Sequence, residues 1–265
     1  MLARRRLVAE EACRAAAEVH LKYRQPAIPF ETKKGNRRDL VTIADTEAQV
    51  AAKAVIEAAF PGEPIIGEED APVHDHVAAV LADHGWLIDP LDGTFNYVHG
   101  FPDFSATVAF VEARRPVVGA TLAPVFDEMF SAAKGQGATL NGVPVRVSER
   151  KGLHSSIVNV SLGRQGDPSL LPRISRIQQR VFQQRVFGGT AIVMAYLAAG
   201  RFDLFYVHDN PRMGDWDIAA GAILIEEAGG TVEHTNGAPL LLPSINVAAA
   251  ADAATLEELR ALLAE

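Results

Sequence analysis

The spacing of apolar and polar residues divides the chain into helical and extended segments. Residues 2–24 place apolar side chains at helical intervals among Ala, Glu and Arg, which predicts an amphipathic helix. Residues 25–39 hold two prolines and four basic residues and predict an exposed loop. Further helices are predicted at 46–60, within 71–84, and at 168–180, 190–199, 218–228 and 253–264.

Short runs rich in β-branched and aromatic residues predict strands between these helices. They lie at 64–67, 86–89, 105–112, 116–123, 128–133, 155–160, 181–187 and 202–207. In the second half of the chain, strands alternate with helices, which is typical of α/β structure. The pattern changes near residue 147. We therefore expect an N-terminal half, 1–147, and a C-terminal half, 148–265, that pack as one compact unit.

Composition and charge exclude several classes of protein. The 265-residue chain is 48% hydrophobic, which is enough for a sizeable core, and its net charge of −8 argues against a nucleic-acid partner. Its single cysteine, Cys13, excludes an internal disulfide and favours a reducing compartment. No apolar run reaches the length of a membrane span, and no signal peptide is visible. These features predict a soluble cytoplasmic protein without a membrane partner.

Acidic residues recur where predicted elements begin or end. Asp45 precedes a predicted helix, Glu68 follows a strand, Asp89 and Asp92 follow another, and Asp217 precedes the helix at 218–228. A single acid in such a place is often an N-cap, and this alternative stays open for Asp45 and Asp217. Several converging carboxylates, however, repel one another and raise each other's pKa. A hard divalent cation such as Mg²⁺ relieves that repulsion.

The stretch DPLDGTFN at 89–96 combines a turn with two acids. In a tight turn, residues three apart can face the same ion, and the Leu91 carbonyl can also turn inward. Gly93 permits close approach of the backbone to a ligand. The N–H groups of Gly93 and Thr94 could then hold an anion, and the Thr94 hydroxyl could orient a water. This stretch therefore predicts a site for a metal and a phosphate.

Four motifs together resemble those of the inositol monophosphatase family. They are DLVTIAD at 39–45, GEE at 67–69, DPLDGTFN at 89–96 and WDIAAG at 216–221, in matching order and spacing. The likeness runs from about residue 33 to residue 235. It implies an α+β fold, a layered α-β-α-β-α sandwich of the inositol monophosphatase and fructose-1,6-bisphosphatase type. It also implies a homodimer that hydrolyses a small phosphate monoester with Mg²⁺ and is inhibited by Li⁺.

The resemblance also implies a role for each matching residue. Two to three Mg²⁺ ions would be held by Glu68, Asp89, the Leu91 carbonyl, Asp92 and Asp217. Glu68 and Thr94 would position and activate the attacking water, and Asp45 would hydrogen-bond near Thr94. Lys34 matches a basic position in a loop near the metals.

Substrate contacts carry over less completely. The resemblance implies contacts from Leu91, Asp92, Gly93, Thr94, Gly188, Gly189, Thr190 and Asp217, with Ala191 as a further candidate. Gly189 stands where the family usually has a hydroxyl. The segment 206–215 lacks the glutamate that inositol-selective members carry before the WD motif. His208, Asp209 or Asn210 could substitute for it, and Arg212 could contact a second phosphate.

The substrate therefore stays open at this point. The leading hypothesis is an inositol monophosphate-like ester. The alternatives on the same scaffold are fructose-1,6-bisphosphate, histidinol phosphate and nucleotide phosphates. A catalytically inactive binding protein is the remaining alternative, and it is disfavoured because all five expected acids (Asp45, Glu68, Asp89, Asp92 and Asp217) are present.

Overall fold

Five alternating layers of helix and sheet make up the computed structural model. It describes residues 1–25, 28–33, 40–70, 74–160 (backbone alone for 74–76), 170–208, 210 and 213–264. Its helices are α1 (Leu2–Tyr23), α2 (Ile43–Ala59), α3 (His74–Asp83), α4 (Thr94–Val98), α5 (Leu170–Arg180), α6 (Thr190–Ala198), α7 (Asp215–Glu227) and α8 (Ala253–Ala264). None of the described helices has both the length and the apolar character needed to cross a membrane.

The larger sheet has seven strands in sequence order. They are β3 (Ile65–Gly67), β4 (His84–Asp92), β5 (Ser105–Glu112), β6 (Arg115–Ala123), β7 (Glu128–Ala133), β8 (Ala138–Leu140) and β9 (Val143–Pro144). Only the β3–β4 pair is parallel. One face of the sheet buries Trp86 and Phe110 against α1 and α2, and the other buries Leu87 and Phe130 against α6 and α7. Alternating side chains thus supply both interior layers.

The smaller sheet has five strands in the order β11-β10-β12-β14-β13. These are β10 (Ile157–Val160), β11 (Gln183–Arg185), β12 (Leu204–Val207), β13 (Thr231–Glu233) and β14 (Val247–Ala250). Phe205 and Val207 of β12 pack into the layer of α6 and α7, whereas Leu204 and Tyr206 pack against α5 and α8. A separate pair, β1 (Phe30–Thr32) and β2 (Leu40–Thr42), precedes α2.

The central helices pack closely because their contact residues are small. A Cβ atom added at Gly119 of β6 would lie 2.7 Å from the Cα of Ala220 in α7. A Cβ added at Gly221 would lie 2.4 Å from the Cβ of Met194 in α6. Both glycines therefore allow backbone approaches that any larger residue would prevent. This packing carries the start of α7 to the end of the seven-stranded sheet, where the acidic residues lie.

The layered sandwich confirms the predicted fold class, while several element bounds differ from prediction. Helix α2 begins at Ile43 rather than at residue 46, because Thr42 caps it. Helix α7 begins at Asp215 rather than at 218, and β4 continues to Asp92. The sequence pattern missed α4 and the short strands β1, β2, β8, β9, β13 and β14. The division of the chain at residue 147 stays a prediction, since α6 and α7 of the second half pack on strands of the first.

Candidate active site

The turn at the end of β4 places two carboxylates and a carbonyl at one edge of the sheet. The pairing of β4 with β5 is irregular between Asp89 and Asp92, so the strand leaves its regular pleat there. The Leu91 N–H donates to Asp89 Oδ1 at 2.9 Å. Gly93 then adopts a left-handed conformation with φ of 89°, and α4 begins at Thr94. A Cβ at Gly93 would lie 3.0 Å from the Asp103 carbonyl oxygen, so glycine suits both the conformation and the space.

The N-terminus of α6 holds the second of these carboxylates. Asp92 accepts hydrogen bonds from the N–H groups of Thr190 and Ala191, each at 2.9 Å. These N–H groups have no partner within the helix, so a carboxylate is well placed to satisfy them. A Cβ added at Gly189 would lie 2.9 Å from Asp92 Oδ2. The predicted substrate segment at 188–191 is therefore joined directly to the predicted metal turn.

Helix α7 brings the third carboxylate. Asp217 lies in its first turn, and its Oδ2 accepts the N–H of Gly214 at 2.9 Å. One carboxylate oxygen from each of Asp89, Asp92 and Asp217 lies within 4.8 Å of the others. The N-cap alternative for Asp217 is wrong, because Gly214 is the N-cap of α7; Asp217, three residues later, binds the Gly214 N–H and also joins the cluster. The two functions are compatible because a carboxylate has two oxygens.

The cluster is electrostatically costly without a cation. Burial, together with the negative charge of Glu68, raises the pKa of Asp89 and of Asp217 well above the usual range. Burial also raises the pKa of Asp92 to about 6, although three backbone N–H donors act in the opposite direction. Three carboxylates that share so small a space favour either protons or a metal ion. Oxygen-only ligands of this kind suit Mg²⁺.

Asp45 and Thr94 form a buried hydrogen-bonded pair beside the cluster. The Thr94 hydroxyl lies 3.0 Å from Asp45 Oδ1 and 3.1 Å from the Leu91 carbonyl oxygen. Asp45 Oδ2 accepts from both the N–H and the hydroxyl of Thr42, each at 2.7 Å. Thr42, rather than Asp45, is the N-cap of α2, and the two residues form a capping box. Burial raises the pKa of Asp45 to about 7.

Comparisons with known proteins agree with this geometry. The model of the inositol monophosphatase family matches residues 1–265. The chain belongs to the inositol monophosphatase family. It is 36% identical over 215 residues to inositol monophosphatase 2 of Solanum lycopersicum, which covers 80% of each chain. It is 37% identical over 205 residues to the fructose-1,6-bisphosphatase/inositol-1-monophosphatase of Thermotoga maritima, covering 77% of this chain and 75% of that one.

Solved structures show the same fold. The crystal structure of the extragenic suppressor protein SuhB from Bartonella henselae superposes with a TM-score of 0.85 at 28% identity, covering 97% of both chains. The predicted resemblance is thereby confirmed. Membership of the family makes this chain a phosphatase, whereas its metal content and its substrate need further argument.

The basic residue next to the acidic cluster is Lys33. Its Nζ lies 2.7 Å from Glu68 Oε1 and 2.6 Å from Glu69 Oε1. Lys34, which the resemblance to the inositol monophosphatase family picked out, lies outside the described residues. The ammonium group of Lys33 therefore binds the carboxylate of Glu68, which the sequence predicts as a metal ligand. A metal ion at Glu68 would compete with Lys33 for this carboxylate.

The segment after β12 diverges from the predicted substrate contacts. His208 lies 6.2 Å from Tyr206, ring centroid to centroid, with the rings nearly parallel. Tyr206 packs against α5 and α8, so the pair lies on the face of the sheet opposite α6 and α7. The structure thus does not bring His208 to the acidic cluster. Asp209 and Arg212 lie outside the described residues, and Asn210 is held by its backbone, whose N–H donates to the Ile245 carbonyl at 3.4 Å.

Two residues that support the site escaped the sequence analysis. His20 of α1 is fully buried, and its Nε2 lies 2.7 Å from the Pro90 carbonyl oxygen. Burial lowers the pKa of His20 to about 4, so the neutral ring donates this bond. Asn96 of α4 donates to the carbonyls of Asp103 and Phe187, each at 2.6 Å. No local pattern marks His20, whereas the Thr42–Asp45 spacing could have revealed the capping box.

Proposed function

We propose that this family member is a Mg²⁺-dependent hydrolase of small phosphate monoesters that uses water as the nucleophile. The convergence of Asp89, Asp92 and Asp217 carries the proposal, because three close carboxylates with raised pKa values, two of them buried and the third partly buried, require compensating positive charge. The all-oxygen donor set fits Mg²⁺. The proposal includes no covalent nucleophile. The cysteine, Cys13, is buried in the core and so is not available as one.

The ligand assignment follows the resemblance and the cluster. Asp89, Asp92 and Asp217 would hold one ion, and Glu68, Asp89 and the Leu91 carbonyl another, with a weaker third near Glu68. When bound, such ions lower the pKa of a coordinated water and neutralise the phosphoryl oxygens. The number of ions, two to three, is part of the proposal.

The chain's own residues then position the water and the ester. Thr94 donates a hydrogen bond to Asp45, so its oxygen keeps lone pairs that can accept a hydrogen bond from the attacking water and orient it. Glu68 would act as the base and remove one proton from that water. The N–H groups of Gly93 and Thr94 would hold the phosphate, with contacts from Leu91, Gly188, Gly189, Thr190 and Ala191.

The acidic cluster supports the substrate class, a phosphate ester. Which ester is hydrolysed depends, in this proposal, on residues 206–215. We propose an inositol monophosphate-like ester first. A sugar bisphosphate is the second candidate, because the Thermotoga maritima relative is named for both activities. Histidinol phosphate and nucleotide phosphates follow. An inactive binding protein is least supported, since the acids that we propose as ligands, Glu68, Asp89, Asp92 and Asp217, are all present in the chain.

A panel of esters tests this proposal. Phosphate release would be measured for inositol 1-phosphate, fructose-1,6-bisphosphate, histidinol phosphate and nucleotide monophosphates, with Mg²⁺ and with excess chelator. We expect hydrolysis of at least one ester with Mg²⁺, and its loss with chelator. Addition of Li⁺ should reduce the rate. Turnover that survives complete chelation would contradict the metal mechanism, and absence of turnover on every ester would favour the inactive protein.

We also propose a homodimer acting in the cytoplasm. Phe95 precedes Asn96, and the Phe101 N–H donates to the Asn96 carbonyl at 2.9 Å; the two phenylalanines are 51% and 54% exposed. Val186, next to the Phe187 carbonyl that Asn96 binds, is 59% exposed. Apolar side chains that are this exposed and this close together are typical of an interface. The molar mass in solution, measured by light scattering, should be twice that of the chain, and Phe95→Asp should reduce it to that of a monomer.

A further inference from the structure

The outer face of the five-stranded sheet carries a cavity. This face is opposite to the one that α6 and α7 cover, and the charged residues that line the cavity are basic rather than acidic. The cavity has a volume of about 360 Å³ and lies between the sheet, α5 and α8. Tyr206 and Ala248, paired across β12 and β14, form its floor. The acidic cluster lies at the starts of α6 and α7, which pack on the opposite face of the same sheet. The cavity is therefore separate from the candidate active site.

The walls of this cavity are basic. Arg173 of α5 and Arg260 of α8 line it, together with His208 and His234. No carboxylate occurs among the described residues that line it. Glu233 lies nearby and pairs with Arg260, which offsets part of that charge. Since Arg173 also lines the cavity, its wall is cationic at neutral pH even if both histidines are neutral.

The guanidinium group of Arg173 is held at the cavity wall by a hydrogen bond. Its Nη1 donates to the Tyr206 hydroxyl at 3.3 Å, and Tyr206 is only 3% exposed. A guanidinium has five N–H donors, and this bond uses one of them. Arginine forks of this kind suit phosphate, which accepts two parallel hydrogen bonds.

The apolar residues that line the cavity indicate the chemistry of the rest of the ligand. Leu259 and Leu263 of α8 present aliphatic surface to the cavity. Helix α8 ends beside it, and the partial negative charge of that end, about half a unit, opposes an anion. The full charge of Arg173 exceeds this, and Arg260 lies in the penultimate turn of the same helix. A volume above 300 Å³ is in the range of cavities that bind small organic ligands.

We propose that this cavity is a second ligand site, which binds a small organic phosphate with its phosphate on Arg173 and its carbon skeleton against Leu259 and Leu263. Binding there does not depend on the hydrolytic activity of the acidic cluster. The site would hold its ligand in the absence of Mg²⁺, whereas the acidic cluster repels phosphate until a metal is bound.

Calorimetric titration of the full chain with phenyl phosphate, in excess chelator, tests the proposal. We expect saturable binding of one phenyl phosphate per chain. Inorganic phosphate should bind at least threefold more weakly, since it lacks the apolar part, and phenol should show no saturable binding. Arg173→Gln should weaken phenyl phosphate binding at least tenfold. Arg180→Gln makes the same charge change on the exposed end of α5 and should leave binding unchanged.

A second variant tests the cavity without changing the charge of the protein. Ala264 is an exposed residue at the rim of the cavity, so Ala264→Trp should block entry without disturbing the core. Circular dichroism would establish that each variant is folded. Absence of saturable binding by the wild-type chain, equal affinity for phenol and phenyl phosphate, or unchanged affinity in both Arg173→Gln and Ala264→Trp would overturn the proposal. If inorganic phosphate bound as tightly as phenyl phosphate, the organic part of the proposal would fail.

Discussion

The turn at 89–94, which holds two of the clustered acids, and the segment at 206–215, which precedes the third, are built differently. Contacts from three directions surround the turn. His20 binds the Pro90 carbonyl from α1, Thr190 binds Asp92 from α6, and Asp45 binds Thr94 from α2. Each partner is contributed by a different layer or helix, so the turn has little freedom to change. Such a surrounding suits a catalytic arrangement that must be held within a fraction of an ångström.

The segment at 206–215 has fewer constraints of this kind in its described part. The Asn210 N–H binds the Ile245 carbonyl, the Met213 N–H binds the Asn210 carbonyl at 3.1 Å, and His208 lies 3.1 Å from the Thr235 hydroxyl. These three contacts join loops to one another, whereas Val207 and Met213, at either side of them, are buried in the layer of α6 and α7. We therefore predict that the chemistry depends on the turn, and that substrate choice depends on residues 206–215, which can vary without disturbing the turn.

The largest effect should come from Asp89, which belongs to both proposed metal sites. Asp89→Asn keeps the shape of the side chain and removes its charge. We expect kcat/KM to fall about 1000-fold or more, equivalent to ~4 kcal/mol of transition-state stabilisation. The measurement is Mg²⁺-dependent phosphate release on the best ester of the panel.

Asp83→Asn is the matched control for that variant, since Asp83 is an exposed acid that immediately precedes β4. It should keep nearly full activity. If Asp89→Asn retained more than a tenth of the wild-type rate, neither metal assignment would stand.

Acid should weaken metal binding by competition. Burial raises the pKa of Asp45 to about 7 and of Asp92 to about 6, so both carboxyls bind protons more tightly in the folded chain than in the unfolded one. In the metal-free protein these groups therefore favour folding at low pH, and this contribution is lost as the pH rises from about 4 to 7. Mg²⁺ held by Asp92 would displace the proton of that carboxyl, so we expect the affinity for Mg²⁺ to rise by up to about tenfold per pH unit for each proton displaced.

Thermal unfolding with and without Mg²⁺ at pH 5 and pH 8 measures this competition. The increase in Tm caused by Mg²⁺ should be clearly larger at pH 8, because stabilisation grows with the ratio of ligand concentration to Kd. Na⁺ at equal ionic strength controls for screening. An equal increase in Tm at both pH values would contradict a carboxylate site with raised pKa values.

The Thr94 hydroxyl should contribute less than a metal ligand. Thr94→Val keeps the shape and removes the group that binds Asp45 and the Leu91 carbonyl. We expect kcat to fall about 100-fold with KM changed little, because the attacking water loses the hydrogen-bond acceptor that orients it. Thr94→Ser, which restores the hydroxyl, should recover most of the rate. Equal losses in both variants would point to packing rather than to the hydroxyl.

His20 tests whether the surrounding layers support the turn. His20→Leu would leave the buried Pro90 carbonyl without its donor, which should lower the free energy of unfolding by about 1–3 kcal/mol. Urea denaturation measures this loss. His20→Gln, which offers an amide donor, should lose less. Equal stability of the leucine variant and the wild type would show that the Pro90 carbonyl finds another donor.

The residues of the turn at 89–94 could be predicted from the sequence more completely than the residues that hold this turn in place. Asp89, Asp92 and Gly93 were visible because acids and a glycine after an apolar run are unusual in a plain turn. The start of α7 was predicted three residues late because Asp215 and Asp217 interrupt the apolar spacing, although Gly214 caps the helix. His20 and Asn96 could not be found from local pattern, since their partners lie 70 and up to 91 residues away. Which face His208 occupies also depended on tertiary packing.

The smallest effect, and the one most specific to this chain, should come from Asn210. Its side chain lies in the segment that lacks the family's glutamate, so Asn210→Ala should alter substrate choice rather than chemistry. Loss of a hydrogen bond to a sugar or inositol hydroxyl corresponds to about 1 kcal/mol, or roughly a fivefold rise in KM with kcat preserved. The rise should differ among the esters of the panel, whereas Thr94→Val should slow all of them alike. A uniform fall in kcat on every ester would place Asn210 with the turn and remove the distinction between the two regions.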